Sequence, residues 1–336
     1  MKFGWRGALG VCLSVLLLWL TLRGENLGDV WQILSTSSLG WWIACVVTAT
    51  AIFPLRARRW QAILAPLGER IPVAPLWHAT AIGMMVNNVL PARAGEFARA
   101  FALSRSRPEV RFTAAFASLV VDRLFDGTVV ITLLLLATLD PRFPADATVL
   151  GWTAGQIAMS AALFLLAVLF VLGGLVLFPQ RIIAVAERTV GAVWRAGGAK
   201  VRGLLEAFAS GLGVLRSPAL VLEVLWWTLL HWIMNAIAFW CAFQALEIEA
   251  PFSAAFFLQG LIAIGVALPS SPGFFGPFEA AGKAGLALYG VPGAQAVSWA
   301  IGFHLLSFVP ITVLGAWYFT RLHLRLSDLN ASRAAP

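Results

Sequence analysis

Long apolar runs, not alternating apolar and polar positions, organise this chain. Five stretches, about 4–22, 39–55, 114–138, 156–178 and 219–243, have the length and apolar content of a transmembrane helix, which needs roughly 20 such residues. A sixth, about 294–319, is interrupted only by His304 and Pro310. Two shorter stretches, 76–90 and 254–268, run for about 15 residues and each ends in Leu-Pro followed by glycine. Segments of that length, with open backbone at the end, read as re-entrant half-helices and not as crossings. The pattern predicts an all-α integral membrane protein over residues 1–336, a single polytopic domain of about six transmembrane helices and two re-entrant helical hairpins.

Composition agrees with the pattern. The 336 residues are 60% hydrophobic and 12% charged, against roughly 45–50% and 25% in soluble domains. A net charge of +8 would suit a nucleic-acid binder, but in a membrane protein basic residues gather in cytoplasmic loops. Segments 1–6, 56–75, 91–113, 179–218 and 320–336 hold 20 of the 24 Lys and Arg residues. The opposite side receives Arg23, Arg142 and Lys283, and Arg123 lies inside a span. Both termini are therefore expected in the cytoplasm, and no nucleic-acid partner is expected. Lys2 and Arg6 ahead of an apolar run resemble a signal peptide, yet the following TLRGENLG lacks a small-residue cleavage pattern, so an uncleaved first helix is expected. Cys12, Cys45 and Cys241 all fall within apolar runs, where a thiol behaves as a small hydrophobe; neither a disulfide framework nor a metal site is read from them.

The two short segments resemble one another. VLPARAGEFARA (89–100) and ALPSSPGFFGPFEAA (267–281) both run Leu-Pro, Gly, Glu and then small apolar residues, with Pro91 and Pro269 178 positions apart. In a Leu-, Pro- and Gly-rich chain such letters also match by chance. Three full spans separate them, so the hairpins would enter from opposite faces, an inverted-topology repeat. The first repeat covers about 39–138 and the second about 219–319. Between them, 179–218 carries Arg181, Arg188, Arg195, Lys200, Arg202 and Arg216 among apolar residues. That pattern suits an amphipathic segment on an anionic leaflet, or equally a solvated linker.

Ionisable residues at bilayer depth are costly and so are candidates for function. In NNVLPARAGEFAR, Pro91 and Gly95 break the helix beside Asn87, Asn88, Arg93, Glu96 and Arg99, so the arginines and freed amides could seat a phosphate. The same charges could instead form a network that pins the hairpin. In VVDRLFDG, Asp122 and Asp126 share a helix face with Arg123 between them. They could carry protons, bind a cation or balance hairpin arginines. In LPSSPGFFGPFE, Pro269, Ser270, Ser271, Pro272, Gly273 and Glu279 make the second hairpin. His231, Asn235 and His304 sit on flanking spans, and His304 is the one retained as a candidate. The common nucleotide, zinc-protease and hydrolase motifs are absent, so no cofactor and no catalytic residue is expected.

RARRW (56–60), NNVLPARAGEFARA (87–100), VVDRLFDG (120–127) and LPSSPGFFGPFEAA (268–281), in this order, resemble the lysylphosphatidylglycerol synthase transmembrane region, or flippase-like domain, family over about residues 5–320. The resemblance implies movement of a lipid between leaflets of a bacterial-type inner membrane, with phospholipid or polyprenyl or hopanoid lipids as partners, and lipid-synthesis enzymes as candidate protein partners. No synthase domain is read here, so lysyl transfer is not implied. The expected mechanism has the hairpins meeting near the midplane, with Arg93 and Arg99 holding a head-group phosphate while the repeats rock. The alternatives are an intramembrane lipid-modifying transferase with Glu96 or Asp122 as base, and a non-transporting accessory protein of glycolipid or hopanoid synthesis.

Overall fold

The computed structural model describes residues 5–68, 70–90, 94–149, 151–194, 197–199, 201–203, 205, 214–215, 217–267 and 270–322. Three of the candidate residues, Pro91, Arg93 and Pro269, lie outside the described residues, as do Arg195, Lys200 and Arg216.

The described chain is mostly α-helical, with a two-stranded ribbon pairing Thr148–Val149 with Trp152–Thr153 and short 3-10 turns such as Ala65–Leu67 and Pro272–Phe274. The helices, in order, are α1 (Trp5–Leu22), α2 (Leu27–Thr36), α3 (Leu39–Leu64), α4 (Val73–Val89), α5 (Gly95–Ser106) and α6 (Phe112–Ala137). They continue with α7 (Ala154–Leu177), α8 (Pro179–Val193), α9 (Pro218–Ala245), α10 (Phe252–Gly265), α11 (Pro277–Leu288) and α12 (Gly293–Arg321). Among the described residues, α3, α9 and α12, together with Ala154–Val171 of α7, are long and apolar enough to cross a membrane. The pair Leu9–Leu22 and Leu27–Thr36, bent by 81°, makes a fifth candidate. The bend was not foreseen from the sequence: Gly24 takes a positive φ of 86°, and the Asn26 side chain caps α2 by accepting the Gly28 N–H at 2.9 Å.

At 26 residues and about 1.5 Å per residue, α6 is also long enough to span a bilayer. Asp122, Arg123 and Asp126 interrupt its apolar surface, and each is paired inside the protein, as set out below. Leu163, Phe164, Leu166 and Phe170 of α7 stand exposed. A water-facing helix would not display such a surface, and a lipid-facing one does.

Both short apolar stretches are first arms of helical hairpins: α4 packs on α5, and α10 packs on α11. With 17 and 14 residues, α4 and α10 are shorter than a crossing requires. Leu90, the residue before Pro91, is extended at φ −109° and ψ 144°, as the proline ring demands of its predecessor. The second turn uses Gly273 at φ 71° and Gly276 at φ 95°, after which Pro277 opens α11 at a position where its missing N–H costs nothing.

The hairpins exchange partners. The first arm α4 packs on α12, the helix that follows the second hairpin, while α10 packs on α6, the helix that follows the first. The preceding helices α3 and α9 pack on each other. In lipid, helix association gains little from the hydrophobic effect and depends on close contact between small residues. Gly83 and Gly95 supply that contact between α4 and α5: a Cβ on Gly83 would come 2.8 Å from both the Gly95 carbonyl and Arg99 Cβ.

Candidate functional site

Arg56 and Arg59 are three residues apart on α3 and therefore share a face. The sequence reading ended the span at residue 55 and counted both as cytoplasmic charges. Instead α3 runs on to Leu64 and buries them, at 8% and 0% exposure. Arg59 is the hub. Its Nε lies 2.7 Å from Asp122 Oδ1, and its Nη1 and Nη2 donate to the two oxygens of Asp126 at 2.6 and 3.2 Å.

Asp122 and Asp126 face the same way on α6, as their spacing predicted, and each collects further donors. Arg99 Nη1 donates to Asp122 Oδ2 at 3.0 Å, and the Arg99 guanidinium lies over the Trp60 ring at 4.1 Å. Trp232 Nε1 donates to Asp126 Oδ1 at 2.9 Å, with His231 Nδ1 at 3.7 Å from the same oxygen. Arg123 turns the other way, to Glu96 Oε1 at 2.5 Å and Asp126 Oδ2 at 3.5 Å. Glu96 and Arg99 thus bind α6 and not each other, so the charges tie the hairpin to its following helix. Among the described residues four guanidinium groups, Arg56, Arg59, Arg99 and Arg123, gather with three carboxylates, Glu96, Asp122 and Asp126, an excess of one positive charge.

The asparagines hold the hairpin in place. Asn87 Oδ1 accepts the Gly95 N–H at 2.8 Å, supplying an acceptor for an otherwise unpaired donor at the start of α5. Asn88 Nδ2 donates to Thr312 Oγ1 of α12 at 2.7 Å.

In the second hairpin the Ser271 N–H donates to Ser14 Oγ of α1 at 2.7 Å, and the Ser270 backbone lies against Gly10. Pro272 and Gly273 form the turn. Glu279 accepts the Gly276 N–H at 2.6 Å through Oε2 and meets His304 Nδ1 at 2.5 Å through Oε1. The other ring nitrogen, His304 Nε2, lies 2.8 Å from the Gly273 carbonyl. A carbonyl only accepts, so Nε2 carries a proton, and one further proton is held between Nδ1 and Oε1. Phe275 and Phe278 pack on the imidazole with ring centres at 4.5 and 4.4 Å.

Both charge groups open on one cavity of about 410 Å³. Arg123, Asp126 and Trp232 line one side, and Gly273, Phe274 and His304 the other. Asn88, Asn235 and Gln259 add polar atoms, while Ile52, Phe53, Val130, Phe239, Ile262 and Ile311 make most of the wall. Arg123 keeps 46% of its side chain exposed, unlike the buried Arg59. Sequence reasoning missed Arg56, Arg59, Trp60 and Trp232; the spacing of RARRW at the end of an apolar run was the available signal.

The fold and site together define a multi-pass helical membrane protein with paired charges and two broken hairpins around an amphipathic cavity. The chain belongs to the lysylphosphatidylglycerol synthase TM region family, whose pattern matches residues 7–315. It is also similar to the glycosyltransferase AglD of Haloferax volcanii, at 32% identity over 160 residues. That match covers 45% of this chain and 25% of the relative, so the likeness spans about a quarter of the relative's length.

Proposed function

We propose that this protein handles a membrane lipid, moving its head group between leaflets through the cavity between the hairpins. The cavity carries the reading: a space of about 410 Å³ with an exposed arginine at one wall and aliphatic and aromatic side chains over most of the rest matches an amphipathic ligand. The head group would sit against Arg123, Asn88 and His304, with acyl chains along the apolar wall. Asn87, Ser270 and Ser271 act as hairpin ties, and Glu96 and Glu279 hold the arginine and the histidine in place. Arg93 is kept as a phosphate contact on its sequence position.

The exchange of packing partners between α4 and α12 and between α10 and α6 supports an inverted repeat whose halves rock about this cavity. The basic-residue distribution supports both termini in the cytoplasm, and placement in a bacterial inner membrane follows from the family resemblance alone. Asp122 and Asp126 serve mainly to hold arginines.

A transferase reading is favoured by one observation, the similarity to a protein named a glycosyltransferase. Reconstitution separates the two. Purified protein in liposomes bearing head-group-labelled anionic, zwitterionic and polyprenyl-phosphate lipids is assayed for leaflet accessibility, and the lipids are then recovered for mass spectrometry. The proposal expects faster equilibration of at least one lipid, unchanged mass, and a rate about tenfold lower for Arg123→Gln. No acceleration for any lipid, or a lipid of altered mass, would overturn it.

A further inference from the structure

We infer that Arg56 is the seat for one anionic oxygen of a phosphate ester. Arg56 is 8% exposed, yet among the described residues it forms neither a hydrogen bond nor an ion pair, and its Nε is buried without a partner. Its neighbours differ: Arg59 and Arg123 are each held by two carboxylates. Arg99 has one carboxylate, and its Nε and Nη2 also lack partners. An uncompensated buried cation is costly in a protein interior, and more so at bilayer depth. Structure alone does not account for its presence.

The place around it has a definite size. Arg56, Arg99, Arg123 and Asn87, with the carboxylates Glu96 and Asp122, line a recess with about 10 Å³ of room, enough for a single water-sized group. A whole phosphate does not fit there, but one of its oxygens does. The recess shares Arg123 and Met84 with the large cavity. An oxygen seated beside Arg56 would leave the esterified remainder in the adjoining cavity.

Charge selects the ligand. Among the described residues, four guanidinium groups against three carboxylates leave one positive charge, which a phosphodiester monoanion neutralises. A water molecule between Arg56 Nε and the unpartnered Glu96 Oε2 would satisfy hydrogen bonds but not the charge. Glu96 holds Arg123 in this structure, so an incoming phosphate competes with that carboxylate for Arg123, whereas at Arg56 it displaces no hydrogen bond or ion pair among the described residues.

The seat deepens the lipid-handling function proposed above and takes from it only the source of the phosphate ester. The test is thermal unfolding in detergent with short-chain phosphatidylglycerol, diacylglycerol, inorganic phosphate or chloride, for wild type, Arg56→Gln and Arg56→Lys. Phosphatidylglycerol should raise Tm and diacylglycerol should not. Arg56→Gln should leave the ligand-free Tm unchanged or higher, because it removes an unpaired charge, while weakening phosphatidylglycerol binding about tenfold or more; Arg56→Lys should keep part of it.

A shift given by inorganic phosphate and not by the lipid, and lost in Arg56→Gln, would keep the oxyanion seat and move its source to free phosphate. A lower ligand-free Tm in Arg56→Gln, unchanged lipid affinity, or a full shift from chloride alone would overturn the seat. In liposomes, Arg56-dependent binding without translocation would sink lipid movement alone, and translocation untouched by Arg56→Gln would sink the seat alone.

Discussion

Arg59 grips Asp126 through two parallel hydrogen bonds, Nη1 to Oδ1 at 2.6 Å and Nη2 to Oδ2 at 3.2 Å, across 67 positions of sequence. Its Nε meanwhile faces Asp122. One side chain from α3 thus fixes two turns of α6, which carries the hairpin's other anchors.

Removing one member of such a buried set strands the others. Arg59→Gln and Asp126→Asn should each destabilise the protein by about 3–5 kcal/mol, read as a lower unfolding temperature in detergent. The double replacement Arg59→Gln with Asp126→Asn should cost less than the sum of the two singles. Additive losses would mean that the two side chains do not act as a pair.

The first hairpin depends on the absence of side chains. A Cβ on Gly95 would run into the Gly83 carbonyl and the Asn87 side chain, where neither backbone can retreat without parting α4 from α5. Gly95→Ala should destabilise by about 1–3 kcal/mol. Gly40, with open space around it, provides the control: Gly40→Ala should leave the unfolding temperature unchanged or raise it.

The second hairpin depends on a shared proton. Glu279→Gln supplies an amide N–H to His304 Nδ1 and an amide oxygen to the Gly276 N–H, so every group remains partnered and stability should change by under about 1 kcal/mol. His304→Ala leaves Glu279 buried with the Gly276 N–H as its remaining donor among those described, and should cost about 1–3 kcal/mol. Equal losses in the two variants would contradict this arrangement.

Outside the spans, Asp140 clips the loop after α6 to the start of α10. The Ser253 hydroxyl donates to it at 2.6 Å, followed by the Arg142 N–H at 2.9 Å, and its carboxyl is held down at about 2. Because the folded pKa is depressed, the clip is fully present above the ordinary carboxylate pKa of about 4 and is lost as pH falls through about 2. A carbon-detected titration of Asp140 should find its midpoint there, and Ser253→Ala should move it upward. A midpoint near 4 in the wild type would show that the clip is not made.

The hairpins were legible because their signal is local: an apolar run too short to cross, then Leu-Pro and glycine. The i, i+4 placement of Asp122 and Asp126 was legible for the same reason. What sequence misassigned was decided by pairing across distance. Arg56 and Arg59 look like loop charges when counted beside Arg58, since a single step along the helix, from Arg58 to Arg59, separates a solvated arginine from a buried one. The carboxylates that make the burial of Arg59 tolerable lie more than 60 positions away. The 81° bend between α1 and α2 was missed because Gly24 sits in a stretch read only for cleavage.

The cavity itself offers the most direct test. Gly127 lines it, and nothing lies within 4 Å of the position a Cβ would take there, so a side chain can start from this position without a clash and Gly127→Phe should put a ring into the space. Lipid equilibration in liposomes should fall to the protein-free rate with Gly127→Phe while its unfolding temperature matches the wild type. Wild-type equilibration by a folded Gly127→Phe protein would contradict passage through this cavity.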